Sequence, residues 1–395
     1  MHSLALISGL LGLIVWIYLL TAHGSFWRVG SLQARMPAPA TIEGAVAVVI
    51  PARDEAEVIG ATVRSLLGQT CAESLHIFIV DDHSSDGTAE AAREAARNCG
   101  RSGALEVISS SALPSGWTGK LWAVQQGIQH ALKLRPKFLL LTDADIVHAP
   151  ENIALLVSIA EAGNYDLTSF MVKLHCESLA ERLLIPPFVF FFFLLYPPDW
   201  IRDPNRKVAG AAGGCMLVRP SALERAGGIA AIRNQIIDDC ALARAVKQSG
   251  GRVWLGLTPG ACSTRAYGTF AEIERMIART AFNQLRHSAW LLVGALVGLA
   301  VTYLLPLGLL ASTDPELALM GAASWLLMTT AFLPMVRFYG LNPAWAMTLP
   351  LSACFYMLAT VHSAIKFWAG RGGEWKGRPQ DTAATELKAP PSRGA

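Results

Sequence analysis

Asp143-Ala144-Asp145 sets two carboxylates one residue apart at the end of the apolar run Phe138-Leu139-Leu140-Leu141. Where the backbone turns, both can reach one Mg2+ or Mn2+, and such a cation stabilises a diphosphate as a leaving group. On a regular strand the two would point to opposite faces, and a loop cap is the other reading of so short a motif. Two more apolar runs stop in carboxylates: Val48-Val49-Ile50-Pro51-Ala52-Arg53-Asp54-Glu55 and Ile77-Phe78-Ile79-Val80-Asp81-Asp82. Buried parallel strands present ligands at their carboxyl ends. Asp54, Asp82, Asp143 and Asp145 are therefore expected around one crevice, a setting for a divalent cation, a ribose or both.

Lys120 follows the Gly-containing loop Pro114-Ser115-Gly116-Trp117-Thr118-Gly119 and opens a helix. An ammonium and backbone N–H groups there suit a phosphate; a solvated lysine is the plain alternative. Asp238 and Asp239 stand between Ile236-Ile237 and an amphipathic helix running to Gly250. Asp239 can serve as a general base for an acceptor hydroxyl, or both acids can simply favour the positive end of the helix dipole.

The elements that must position these groups alternate. Strands at 46–50, 75–80, 104–108 and 137–141 are separated by helices over 55–67, 88–98 and 120–132, which predicts an α/β domain with a mostly parallel sheet. Asp86-Gly87-Thr88 supplies a turn and a helix N-cap. Gly210-Ala211-Ala212-Gly213-Gly214 is a small-residue loop running into a further strand.

The 395 residues are 52% hydrophobic and only 16% charged, with a mean hydropathy of +0.38. The excess is concentrated in uncharged stretches long enough to cross a bilayer: Leu4 to Thr21, Ala289 to Ala311, Leu317 to Val336 and Ala344 to Ile365. The first is read as an uncleaved anchor rather than a leader, for it lacks a preceding Lys or Arg and a clear cleavage site. Arg28 and Arg35 follow it, which puts the soluble α/β domain in the cytoplasm. The expected organisation is an anchor at 1–24, an α/β domain at 41–288, a membrane region at 289–368 and a basic, then disordered, tail at 369–395. Within the domain, 181–201 holds four consecutive phenylalanines between proline pairs and reads as an interfacial segment; a buried core helix is the alternative. Seven scattered cysteines without a C-x-x-C pair argue against disulfides and structural zinc. A net charge of +3 without a basic stripe excludes a nucleic-acid partner.

In order and spacing, V-V-I-P-A-R-D-E, I-V-D-D-H-S-S-D-G-T, Gly119-Lys120, T-D-A-D, the Gly-rich block 213–228 and I-I-D-D at 236–239 resemble the family 2 glycosyltransferases of GT-A fold, over residues 45–260. Within that family the chain is similar to membrane-bound enzymes encoded with hopanoid biosynthesis genes, in the Phe-rich block, Arg279 to Arg286 and Trp375-Lys376-Gly377-Arg378. The resemblance implies a nucleotide-diphosphate sugar donor, a lipid acceptor, a bacterial inner-membrane location and inversion at the anomeric carbon. It implies that Pro51, Ala52, Arg53, Asp54, Glu55 and Asp82 hold base and ribose, and that Lys120 and Asp238 lie on the donor side. Asp143 would face diphosphate and metal, Asp145 the metal, and Asp239 would be the base. Gly213, Gly214, Phe190 and Phe191 would lie on the acceptor side, with Lys376 and Arg378 approaching the diphosphate.

Two features depart from the family pattern. The usual Glu-Asp pair is Asp238-Asp239, and Asn283-Gln284-Leu285-Arg286-His287 does not supply the Q-x-x-R-W of processive synthases, so transfer of a single sugar is expected. A sugar-phosphate nucleotidyltransferase would need a Gly- and Arg-rich loop after its first strand, which Pro51 to Glu55 does not provide; a silent lipid-binding scaffold would not need Asp143, Asp145 and Asp239. Three full C-terminal crossings would leave the tail outside, against its basic residues. Pro343, Pro350 and His362 suggest that the last stretch is a re-entrant hairpin returning to the cytoplasm.

Overall fold

The computed structural model of the chain describes residues 2–28, 44–370, 374–375 and 378–379. Among them, β1 Val46–Ala52, β2 Leu75–Asp81, β3 Leu105–Ser109, β4 Phe138–Leu141, β5 Ile146–His148, β6 Leu167–Lys173, β7 Met216–Val218 and β8 Val253–Ser263 form one sheet in the order β3-β2-β1-β4-β7-β6-β8-β5. The first four are mutually parallel; β7 is antiparallel to both β4 and β6, while β8 is parallel to β6. Every residue of β1 is buried, as a strand covered by helices on both faces requires. The helix Gly119–Ala131 packs so closely that a Cβ on Gly127 would lie 2.5 Å from Val49 Cγ1. The parallel half brings the loops after β1, β2 and β4 to one sheet edge, and the turn at Ala144-Asp145 leads straight into β5.

The apolar stretches are helices. Four are long and apolar enough to cross a membrane: Leu179–Arg202, Ala289–Leu310, Pro315–Phe338 and Pro343–Trp368. The N-terminal helix His2–Thr21 packs antiparallel to Ala289–Leu310, with Trp16 beside Thr302 and Gly9 beside Leu309. Gly321 lets Pro315–Phe338 approach the same helix: a Cβ there would fall 2.5 Å from the Leu310 nitrogen. The far end of Pro315–Phe338 returns to the α/β domain, where the Lys173 ammonium lies over the Phe338 and Tyr339 rings.

The Phe-rich segment is a helix, Leu179–Leu195, which runs through Pro186 and Pro187. Pro187 has no N–H for the Leu183 carbonyl; Ser352 Oγ donates to it instead at 2.8 Å, and Tyr356 Oη donates to the Leu184 carbonyl at 2.8 Å. Both ends of this helix are tied to the α/β domain and its adjoining helices. Ser178 Oγ donates to the Tyr267 carbonyl (3.1 Å), Tyr196 Oη and the Gln284 amide bond each other (2.9–3.1 Å), and Lys247 holds the Trp200 and Ile201 carbonyls.

The expectation of a re-entrant hairpin at the C-terminus is corrected. Pro343–Thr348 is a short 3₁₀ turn, and Leu349–Trp368 is one continuous helix, because Pro350 falls in its first turn, where a missing N–H is harmless. It runs alongside Phe270–Ala278 and Ala281–Gln284. Phe355 meets Phe270, His362 and Lys366 pair with Glu274 at 2.6 and 3.8 Å, and Phe367 stacks on His287. Arg378–Pro379 pairs antiparallel with Glu374–Trp375. Lys376 and the side chain of Arg378 lie outside the described residues.

Candidate active site

Gly213 stands at the centre of a charge cluster. A Cβ on it would lie 3.5 Å from Asp239 Oδ2, 3.6 Å from Lys120 Nζ and 3.8 Å from Asp143 Oδ2. Its loop is fixed on each side: Ser169 Oγ and the Ala212 backbone exchange hydrogen bonds, and Thr142 Oγ1 donates to the Gly214 carbonyl at 2.7 Å. The Gly213 N–H donates to Asp239 Oδ2 at 2.9 Å, while Asp239 Oδ1 accepts the Cys240 N–H at 2.7 Å. Both Asp238 and Asp239 occupy the first turn of helix Asp238–Gln248. Burial, then the neighbouring Asp238 charge, outweighs these bonds and pushes the Asp239 carboxyl up to about 6.

Lys120, the second residue of a helix capped by Thr118, bridges Asp143 at 3.0 Å and Asp238 at 3.2 Å. Burial disfavours its ammonium, but the Asp143 and Asp238 carboxylates prevail and hold its pKa above the ordinary lysine value. Asp143 moves the other way from a normal carboxylate: burial raises it, and Lys120 only partly opposes this. Asp145 Oδ2 accepts the Ser263 hydroxyl at 2.6 Å and faces Arg265 Nε at 3.5 Å. The same guanidinium grips both Glu55 oxygens, at 2.8 and 2.9 Å.

These groups share an open cavity of about 1280 Å³. Glu55, Asp143, Asp145, Asp238 and Asp239 line it with Lys120 and Arg265, as do Glu272, Arg275 and Arg279. The cavity continues between the apolar helices, past His23 to Leu19, Phe191 and Leu299. Residues 47–227, just under half of the chain, match the family profile described as Glycosyl transferase family 2. The protein is a glycosyltransferase. Its fold is the GT-A fold, and the likeness to solved structures is one of fold. The mannosyltransferase PcManGT from Pyrobaculum calidifontis, in complex with GDP-Man and Mn2+, has a TM-score of 0.53 at 18% identity, covering 90% of this chain and 99% of that one. S. aureus TarS 1–349 in complex with UDP-GlcNAc has 0.38 at 14% identity (84% and 95% covered). Mannosyl-3-phosphoglycerate synthase from Rubrobacter xylanophilus has 0.37 at 17% (68% and 80%). No curated protein matches the sequence significantly.

The glycosyltransferase brings Pro51, Glu55, Lys120, Asp143, Asp145, Gly213, Gly214, Asp238, Asp239 and Phe191 onto this one cavity. Four expected donor-side residues lie beside it instead, because the loops after β1 and β2 knit to each other. Ala52 is fully buried, and Arg53 Nη1 donates to the Asp82 carbonyl at 2.6 Å and lies 3.6 Å from the Asp82 carboxylate. Asp54, in the left-handed region at φ +50°, accepts the Ser85 N–H at 2.8 Å. Asp143 and Asp145 share the cavity with Glu55, Asp238 and Asp239, while Asp54 and Asp82 stand in the knitted loops beside it. Phe190 is also corrected: it is 1% exposed and packs between Phe26 and Phe332, away from the cavity, because Phe188, Phe191 and Phe192 form the face that lines it. Sequence reasoning missed Arg265, Ser263 and His23. Arg265 lies 210 residues from Glu55 in a stretch without periodic or motif signal.

Proposed function

We propose that the enzyme transfers one sugar from a nucleotide-diphosphate sugar to the hydroxyl of a membrane lipid, at the cytoplasmic face. The observation that carries this reading is the continuity of one cavity from the Asp239 carboxylate to the walls of the apolar helices. Asp239, held by two backbone N–H groups, keeps lone pairs for the acceptor proton as the hydroxyl attacks the anomeric carbon on the face opposite the leaving diphosphate, which inverts it. Lys120, kept charged by its carboxylate neighbours, faces the departing phosphates. The resemblance to the hopanoid-associated enzymes favours a hydroxylated polycyclic isoprenoid as acceptor.

The donor set suits a divalent cation. Asp143 and Asp145 stand at a turn on the same cavity. Among the described residues no three His, Cys, Asp or Glu side chains are arranged to hold a metal by themselves. Two carboxylates completed by diphosphate oxygens and water are what Mg2+ or Mn2+ commonly takes. When bound, the ion supplies charge neutralisation to the leaving diphosphate. The deciding assay is release of nucleoside diphosphate by purified protein in detergent, with and without cation and membrane lipid extract, using a panel of labelled sugar nucleotides and mass spectrometry of lipid products. Release that is indifferent to lipid, with no lipid-linked sugar from any donor, would end the proposal.

Because the base form of Asp239 is required, kcat/KM is expected to be full above pH 7 and to fall as pH drops through about 6. A profile flat from pH 8 to 5 would remove Asp239 from the role of base.

Membrane topology follows from which helices leave the domain. His2–Thr21, Ala289–Leu310 and Pro315–Phe338 extend away from it, with Asp314 and Glu316 at the distal turn. Leu179–Leu195 and Leu349–Trp368 run alongside domain elements and would lie in the membrane plane. Three crossings put the tail on the catalytic side, with its basic residues inside. Single cysteines at Gly373 and Gly377, in a background free of native cysteines, are expected to resist an impermeant maleimide in intact spheroplasts and to react after lysis. Labelling of intact cells would place the tail outside.

A further inference from the structure

We infer that the N-terminal helix is a wall of the acceptor site and receives the apolar body of the lipid, in addition to anchoring the chain. The inference rests on the lipid-acceptor reading. Val15 and Leu19, four residues apart on one helical stripe, and His23 just past the end of the helix line the same cavity as Asp239. Other residues of the helix look outward: Ile7, Ile14 and Ile17 are 64%, 51% and 48% exposed. The helix is therefore two-faced although it is apolar all round, one face towards bilayer and one towards the cavity.

It is also fastened in a manner that anchoring does not require. The segment Ala300–Leu304 is a π-helical turn within Ala289–Leu310, a feature that recurs at functional sites. The Trp16 indole N–H donates to the Thr302 carbonyl in that turn at 2.8 Å, and the Trp16 ring meets Tyr303 edge-on. Tyr303 in turn meets Phe191, which forms the opposite wall. Gly9 permits the close approach, for a Cβ there would lie 3.2 Å from Leu309 Cδ1. In hydrocarbon such a bond has no water to compete with it, so Val15 and Leu19 are held in fixed register with the neighbouring helix, whose Leu296 and Leu299 line the same cavity.

Size supports the same occupant. Pockets for small molecules run to roughly 300–1,000 Å³, whereas this cavity is about 1280 Å³. Its polar end suits the sugar nucleotide; its apolar end is left for a hydrophobic body. His23, whose Nε2 bonds the Leu194 carbonyl at 2.8 Å, marks the boundary.

The test uses purified full-length protein in detergent and hexadecanol carrying a terminal diazirine. After irradiation, cross-links are expected in the peptides holding Val15–His23 and Leu296–Tyr303. Leu19→Trp, or Val15→Trp should the former fold poorly, is expected to reduce them to background, while Ile14→Trp on the outer face leaves them unchanged. The same preparations are assayed for lipid-linked product with a membrane lipid extract. There the cavity-facing variants are expected to raise the acceptor KM and leave the donor KM alone. Cross-links confined to the outward face, or indifferent to both cavity-facing variants, overturn the inference even when lipid product forms. Absence of lipid product from the unaltered protein overturns the lipid reading, and this inference with it.

Discussion

Asp239→Asn is expected to lower turnover by about 10²–10⁴-fold, the range for loss of a general base, while donor affinity is unchanged. The Gly213 and Cys240 N–H bonds go to separate carboxylate oxygens, and the amide oxygen can accept only one of them, so one loop contact is lost together with the site for the proton. The same substitution also removes a buried charge, which at pH 8 offsets part of that lost contact. A carboxyl whose folded pKa is raised to about 6 contributes its full stability below the unfolded value and loses it as pH rises through 6. Removing that charge recovers this loss, so the Tm of the variant relative to the unaltered protein should be higher at pH 8 than at pH 4. A collapse of donor affinity with normal turnover of bound donor would make Asp239 a nucleotide contact.

Asp145→Ala is expected to remove metal-dependent turnover, a loss of about 10²–10⁴-fold if the cation stabilises the leaving diphosphate by several kcal/mol. Arg265 retains both oxygens of Glu55 in this variant, so little structural damage follows. Mn2+ titration by electron paramagnetic resonance, with nucleoside diphosphate present, should show weakened binding independently of catalysis. Near-normal activity in chelator would remove the carboxylate pair from metal handling.

The chemistry was most legible where local pattern and long-range structure coincide. A buried strand ending in carboxylates is a local signal, and the strands at β1, β2, β3 and β4 agree with expectation to within two residues. Lys120, Asp143, Asp145 and Asp239 converge because each sits at an end of an element that the sheet brings to one edge. Two kinds of feature were illegible. The Arg265 bridge between Glu55 and Asp145 depends on β8, whose position in the sheet no local pattern announces. The orientation of apolar helices was hidden too, since a helix apolar on every side carries no periodic mark of which face meets protein. That is why Phe190 and Phe191, adjacent in sequence, were assigned alike, although one packs between helices and the other lines the cavity.

The fastening of Leu349–Trp368 along Phe270–Gln284 has a mechanical consequence. The contact of Phe355 with Phe270 and the stack of Phe367 on His287 bind the terminal helix to the catalytic body at two points, twelve residues apart along it. A hinge needs one line of attachment; two separated clasps remove the rocking motion. On the proposed lipid-acceptor reading, the height of Asp239 above the bilayer is then a constant of the molecule, and the enzyme becomes a depth gauge. Among amphiphiles of similar bulk it would glycosylate those whose hydroxyl stands at that height, and pass over those in which the same group lies a few ångströms deeper.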